Sequence, residues 1–322
     1  MKRRDVLGLL GLAPLLARAQ STRLYRIGAL ESAPLRLNLE NFDRFRKGLE
    51  ERGYVEGPSL VIYYRSAEGR TERFGQLSEE LVRLRVDLIL TRGTPATLAA
   101  KRATSTIPIV MAAVADAVET GLVASLAKPG GNLTGLTSAT AELMPKRLEL
   151  LKALAPKMTR VAAYANLANV AAAASWRETE IAARAMGLEP QLLDVRSPEA
   201  IAPAFAEAIR QGVQGLVVGI ETLSLANRKA IVALALEHRL PAIYSAREFV
   251  EDGGLMSYGV SYPDLYYRAA GYADRILKGA APGELPIERP SKFVFAINRR
   301  TAKALDLVIP PDLLLRADWA MG

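Results

Sequence analysis

Val86-Asp87-Leu88-Ile89-Leu90-Thr91-Arg92-Gly93-Thr94-Pro95-Ala96-Thr97 is the stretch whose reading decides the fold. From Val86 to Leu90 it is a short, almost continuously apolar run, as in a strand with neither face in water. Gly, Thr and Pro then open a helix. A strand buried on both faces belongs to a parallel sheet covered by helices, and open sheets of that kind hold ligands at the carboxyl ends of their strands. Thr91 to Pro95 is therefore a site candidate as well as a fold signal. Gly93 lets the backbone approach a ligand, and the hydroxyls of Thr91 and Thr94 with the N–H groups of the opening helix suit a carboxylate or phosphate. The plain alternative is a helix cap by Thr94 with Pro95 at the first helical position.

The same alternation extends on both sides. Tyr25 to Leu30, Leu60 to Tyr64 and Ile107 to Val114 read as strands, with helices over Asn41 to Arg52 and Thr71 to Leu84 between them. Phe42, Phe45 and Leu49 mark the buried face of the first helix, and Phe74, Leu77, Leu81 and Leu84 that of the second. The pattern restarts with strands at Arg160 to Tyr164, Pro190 to Val195, Gly215 to Ile220 and Pro241 to Tyr244. Strand starts fall about 22 to 35 residues apart, the length of a βαβ unit. Two doubly wound αβα lobes follow.

The chain after Val250 is too short for a third domain. A strand at Leu255 to Val260, a helix at Pro263 to Lys278, a strand at Lys292 to Ile297 and a short helix from Arg299 complete the lobes already begun. Crossings between lobes are expected near Leu133 to Thr137, Met256 to Gly259 and Pro286 to Ser291. The expected division is an N-terminal lobe of 22–134 plus about 259–287, and a C-terminal lobe of 135–258 plus about 288–322. Several crossings make a hinge that opens and closes around a ligand.

The N-terminus has a different grammar. Lys2, Arg3 and Arg4 precede an apolar run from Val6 to Leu16 and the triplet Ala17-Arg18-Ala19, which reads as an export signal over 1–19 cleaved after Ala19. Arg3-Arg4 also resembles a twin-arginine signal. The protein is therefore expected in the periplasm, without a spanning helix. The formal net charge is +8, of which Lys2, Arg3, Arg4 and Arg18 less Asp5 supply three. The modest remainder is interspersed with acids, which argues against a nucleic-acid surface.

Cysteine is absent and His238 is the single histidine. That removes disulfides, thiol nucleophiles, most zinc sites and the common nucleophile triads. No Walker, Gly-x-Gly-x-x-Gly or Gly-x-Ser-x-Gly motif occurs. His238 reads as a residue closing a helix before Leu240-Pro241. No catalytic residue, metal or cofactor is expected.

What remains are polar residues at strand ends. Ser32 follows the first strand; Thr91, Gly93 and Thr94 the third; Asp116 the fourth; Asn166, Glu221 and Tyr244 strands of the second half. Thr137 and Tyr258 join them because each lies at an expected crossing. Asp116 equally suits a helix cap, and Asn166 an ordinary loop.

Several words of this sequence resemble a known family. Gly53-Tyr54-Val55-Glu56-Gly57, Arg92-Gly93-Thr94-Pro95-Ala96, Thr106-Ile107-Pro108-Ile109-Val110, Lys128-Pro129-Gly130-Gly131-Asn132-Leu133-Thr134-Gly135-Leu136, Lys146-Arg147-Leu148-Glu149-Leu150-Leu151-Lys152 and Leu255-Met256-Ser257-Tyr258-Gly259 are similar to the ABC-transporter substrate-binding family that includes tryptophan- and tyrosine-binding members. The resemblance implies a type I periplasmic-binding fold on a three-strand hinge. It also implies capture of a small-molecule solute such as an amino acid or related acid, delivery to an ABC permease and its ATPase, and a monomer. Thr91, Gly93, Thr94 and Asp116 are the residues it places near the ligand. Ala117 and Leu167 stand where the family often has proline, so the two loops differ from those of the aromatic amino-acid binders. The alternative function is a periplasmic sensor presenting its closed form to a membrane receptor.

Overall fold

A computed structural model describes residues 23–115 and 117–322. The expected export segment and Asp116 lie outside the described residues. The first sheet contains β1 (Tyr25–Glu31), β2 (Leu60–Ser66), β3 (Leu88–Arg92), β4 (Ile109–Val114) and β5 (Leu133–Thr137), in the order β2-β1-β3-β4-β5, all parallel. Helices α1 (Leu39–Glu50), α2 (Phe74–Arg83) and α3 (Thr94–Ala103) connect its early strands. The second sheet begins after α4 (Met144–Leu154) and contains β6 (Arg160–Ala165), β7 (Glu189–Asp194), β8 (Gly215–Val218), β9 (Ala242–Tyr244), β10 (Met256–Val260), β11 (Phe293–Asn298) and β12 (Trp319–Met321). Its helices are α5 (Val170–Ala185), α6 (Ile201–Arg210), α7 (Thr222–Ala226), α8 (Arg228–Glu237), α9 (Arg247–Glu251), α11 (Arg299–Ala304) and α12 (Pro311–Leu315).

Strand alternation sorts the core into layers. Leu88, Leu90, Val110 and Ala112 pack with Phe42, Phe45 and Leu49 of α1, whereas Ile89, Ile109 and Met111 pack with Phe74, Leu77 and Leu81 of α2. In the second lobe Leu216 and Val218 face Phe205 and Ile231, and Val217 faces Leu148 and Leu151. With both sheet faces covered, β4, β5 and β8 are buried along their whole length.

After β10 the chain leaves the second lobe. The long helix α10 (Tyr262–Leu277) packs on α1, β4 and β5 of the first. The return through residues 286–292 delivers β11 antiparallel to β10, an exception to the expected parallel sheets that follows from this excursion. β12 is a further strand that the sequence pattern did not announce; it pairs in parallel with β11. The three connecting segments are tied together. Thr137 N–H donates to Glu288 O at 3.0 Å, Glu288 N–H to Gly135 O at 3.0 Å, and Ser261 N–H to Lys292 O at 3.0 Å. β5 pairs with β4 as far as its last residue, Thr137 opposite Val114, across a shift of register between Met111 and Val114. Among the described residues, no helix is long and apolar enough to cross a membrane.

Candidate functional site

The carboxyl ends of β1, β3 and β4 in one lobe face those of β6 and β8 in the other, and a cavity of about 800 Å³, counting space continuous with solvent, lies between them. The first lobe contributes Ser32, Arg92, Gly93, Thr94 and Pro95 to its wall, and the first connecting segment Ser138 and Thr140. From the second lobe come Tyr164, Asn169, Trp176, Ile220, Glu221 and Leu225.

The lobes are closed on this cavity. Ser32 Oγ and Thr222 Oγ1 meet across it at 3.3 Å. Outside it, Arg228 Nη1 donates to Leu37 O at 2.9 Å and Arg70 pairs with Glu199 at 3.2 Å.

On the first-lobe wall, Gly93 has φ +84°, a left-handed conformation that costs a side-chain-bearing residue and costs glycine little. It is the residue preceding α3, and no side chain caps that helix. Thr94 therefore does not act as a cap. Its Oγ1 is buried and has no hydrogen-bond partner among the described residues. Beside it, the Arg92 guanidinium is buried at 4.4 Å from the Tyr262 ring centroid and donates to Asn38 Oδ1 at 2.9 Å. Burial alone would lower its pKa, but the surrounding Tyr266, Glu248, Tyr262 and Glu31 outweigh that and raise it, so the cation persists.

On the second-lobe wall, Glu221 precedes α7 in a capping box with Ser224: its side chain accepts from the Ser224 N–H while Ser224 Oγ accepts from the Glu221 N–H. Its Oε1 is buried without a partner among the described residues. Burial pushes the Glu221 carboxyl up to about 8. The Asn166 N–H and the Asn169 side chain, which favour the carboxylate, pull the other way and lose. Among the described residues Tyr164 Oη is also buried without a partner, and burial together with the nearby Glu221 raises the pKa of that phenol. Ala163, Ala165, Ala171 and Ala172 leave room between these polar groups and Trp176.

Of the residues expected from sequence, Ser32, Gly93, Thr94 and Glu221 come together on the cavity wall. Asn166 stands just behind Glu221, its Oδ1 accepting from Ala168 N–H at 3.0 Å. Four others are placed elsewhere. Thr91 points into its own lobe, Oγ1 to Oγ1 with Thr97 at 2.7 Å, because strand alternation and a register shift at Thr91/Arg92 give the cleft Arg92 instead. Thr137 ends β5 off the cavity wall, its N–H committed to Glu288 O. Tyr244 is core, stacked on Phe249 at 4.8 Å. Tyr258 stacks on Phe293 at 6.4 Å, and its carbonyl accepts from Arg147 Nε at 2.7 Å. Sequence reasoning missed Arg92, Thr140, Tyr164 and Trp176. Arg92 sat in the decisive stretch, and its signal was a cation at a strand end. Trp176 lies on a helix otherwise rich in alanine, with no pattern to single it out.

A search against protein families matches residues 38–320 to the ABC transporter substrate binding protein family. The tyrosine-binding protein of Clostridioides difficile (strain R20291) is 30% identical over 263 residues, 82% of this chain and 75% of that one. Two solved structures are similar over 92% of this chain and 100% of theirs. One is a conserved domain protein from Vibrio cholerae, at 24% identity and TM-score 0.87. The other is an ABC domain in complex with L-Trp from Streptococcus pneumonia, at 27% identity and TM-score 0.85. With its two-lobed type I periplasmic-binding architecture and interlobe cavity, this chain belongs to the ABC transporter substrate-binding protein family.

Proposed function

We propose that the chain is the periplasmic solute-binding component of an importer and that its cleft takes an α-amino acid with an aromatic or large apolar side chain. The observation that carries this reading is a buried guanidinium on one wall of the cavity facing a buried carboxyl on the other. The cation Arg92, the Thr94 hydroxyl and the N–H groups opening α3 form the first-lobe wall, and the Glu221 carboxyl belongs to the second. A zwitterion spanning the gap satisfies both, and only a ligand that touches both lobes stabilises the closed form over the open one. Trp176, Ile220, Leu225 and the alanines of β6 and α5 give an apolar side chain its surroundings. That relatives carry the names or ligands tyrosine and L-Trp supports the same class. The bound, closed protein then presents its ligand to an ABC permease and ATPase, with no bond made or broken.

Thermal unfolding of the mature protein with the common L-amino acids, and with their amides and N-acetyl derivatives, tests this directly, since a ligand that binds only the native state raises the melting temperature. A saturable rise with aromatic or large apolar L-amino acids, lost on amidation or acetylation, is the expected result. Equal shifts with the amide and the N-acetyl form would sink the zwitterion reading.

A further inference from the structure

Arg92 is the only cation on the described cavity wall, yet its own lobe holds it incompletely. Nη1 donates to Asn38 Oδ1 at 2.9 Å; Nη2 is buried and has no hydrogen-bond partner among the described residues. The acid that approaches Nη2 comes from the other lobe: Glu248 on α9 places Oε1 at 3.7 Å from it. The same Oε1 accepts from Asn41 Nδ2 of α1 at 3.0 Å, and Asn41 Nδ2 also donates to Asn38 Oδ1 at 3.0 Å. Asn38, Asn41, Arg92 and Glu248 thus form one buried circuit that crosses the lobe boundary. The side chains of Arg92 and Glu248 retain only 4% and 12% of their exposure.

Glu31 is the acid on Arg92's own lobe, but its Oε1 accepts from Tyr266 Oη at 2.7 Å and burial pushes its carboxyl up to about 7. Half-protonated near neutrality, it compensates the guanidinium poorly, whereas Glu248 approaches it from the other lobe.

We propose that Glu248, which lies outside the cleft, is a positioning residue for the ligand: on closure it docks into the Asn38–Asn41 pocket and fixes the Arg92 guanidinium on the cavity wall. The wall facing the ligand's anionic end is then complete only in the closed form, so closure and recognition are one event. This rests on the reading of the chain as a cleft-closing amino-acid binder.

The test is a double-mutant cycle between Glu248→Gln and Arg92→Lys, read as affinity for the aromatic amino acid giving the largest thermal shift, together with small-angle scattering of the ligand-free protein. Gln keeps the shape and the acceptor for Asn41 but removes the charge. We expect Glu248→Gln to weaken binding roughly tenfold, the difference between a charge-assisted and a neutral contact. In the Arg92→Lys background it should cost less than about threefold, because the fork it holds is gone. Without ligand, Glu248→Gln should enlarge the radius of gyration by relaxing closure. Wild-type affinity, or an equal loss in both backgrounds, would overturn the proposal. If no amino acid binds the wild type, the proposed ligand class falls, and scattering alone decides: equal radii overturn the positioning role and a larger one in the variant upholds it.

Discussion

Glu221 offers the sharpest test of how the cleft works, because its protonation must change when an ammonium arrives. Held at a pKa of about 8 by burial, the carboxyl is about nine-tenths protonated at pH 7 in the ligand-free protein. A cationic group at hydrogen-bond distance reverses the balance and ionises it. Binding at pH 7 should therefore release close to one proton. The sign follows from linkage: the ligand-free protein holds more protons than the complex below pH 8, so raising the pH favours the complex. Affinity should climb by up to about tenfold per pH unit between pH 6 and 8, then level off. Calorimetry in phosphate and in Tris, whose ionisation enthalpies differ, reads the released proton directly. Glu221→Gln should abolish the release and weaken binding about ten- to a hundredfold, the worth of a charge-assisted contact. Glu31, which also titrates near neutrality, is untouched in that variant and so serves as an internal control. A flat affinity from pH 6 to 8 with no proton exchange would show that no ammonium contacts Glu221.

The same group acts on stability with the opposite trend. In the unfolded chain Glu221 ionises near its ordinary 4.5, while the folded protein keeps the proton until about 8. Ligand-free stability should therefore fall as pH rises from 4.5 to 8, and Glu221→Gln should flatten that fall in urea melts taken across the range. Thr94→Val keeps the shape and removes a hydroxyl that bonds to nothing among the described residues. Its melting temperature should match wild type while ligand affinity drops roughly fivefold to tenfold in the same calorimetric assay. Gly135→Ala puts a Cβ about 2.2 Å from Met111 O at a backbone φ of +132°, where neither the β4 backbone nor the residue can yield. It should cost about 3 kcal/mol or more by chemical denaturation. Arg147 is buried and donates to the carbonyls of Tyr258 and Thr140, tying β10 to the connection that follows β5. Arg147→Met should leave those carbonyls unsatisfied and cost about 2 to 4 kcal/mol, measured in the same way.

The sequence by itself determined the architecture, since a strand such as Ile109–Val114 must fill both of its faces and so writes its burial as a continuous apolar run. The loop at the end of β3 was legible for a related reason: glycine at positive φ followed by Thr-Pro is a local demand, visible without knowing what lies across from it. β12 left no such mark, because three residues on a half-exposed edge bury too little to need a pattern. Contacts made across the boundary between lobes were not written locally either. Whether a tyrosine such as Tyr244 stacks on Phe249 or Tyr164 turns its hydroxyl to a cavity depends on which sheet end faces which. Glu221 appeared in the sequence as one polar residue among many at a strand end. Its raised pKa exists because the folded chain takes it from water and brings two asparagines too weak to compensate. Glu248 gave no signal, for its partners Asn41 and Arg92 lie on the other lobe, more than 150 residues away along the chain. Only the closed tertiary structure decides which carboxyl meets which guanidinium, because that pairing depends on two rigid lobes being brought together rather than on any neighbour in sequence.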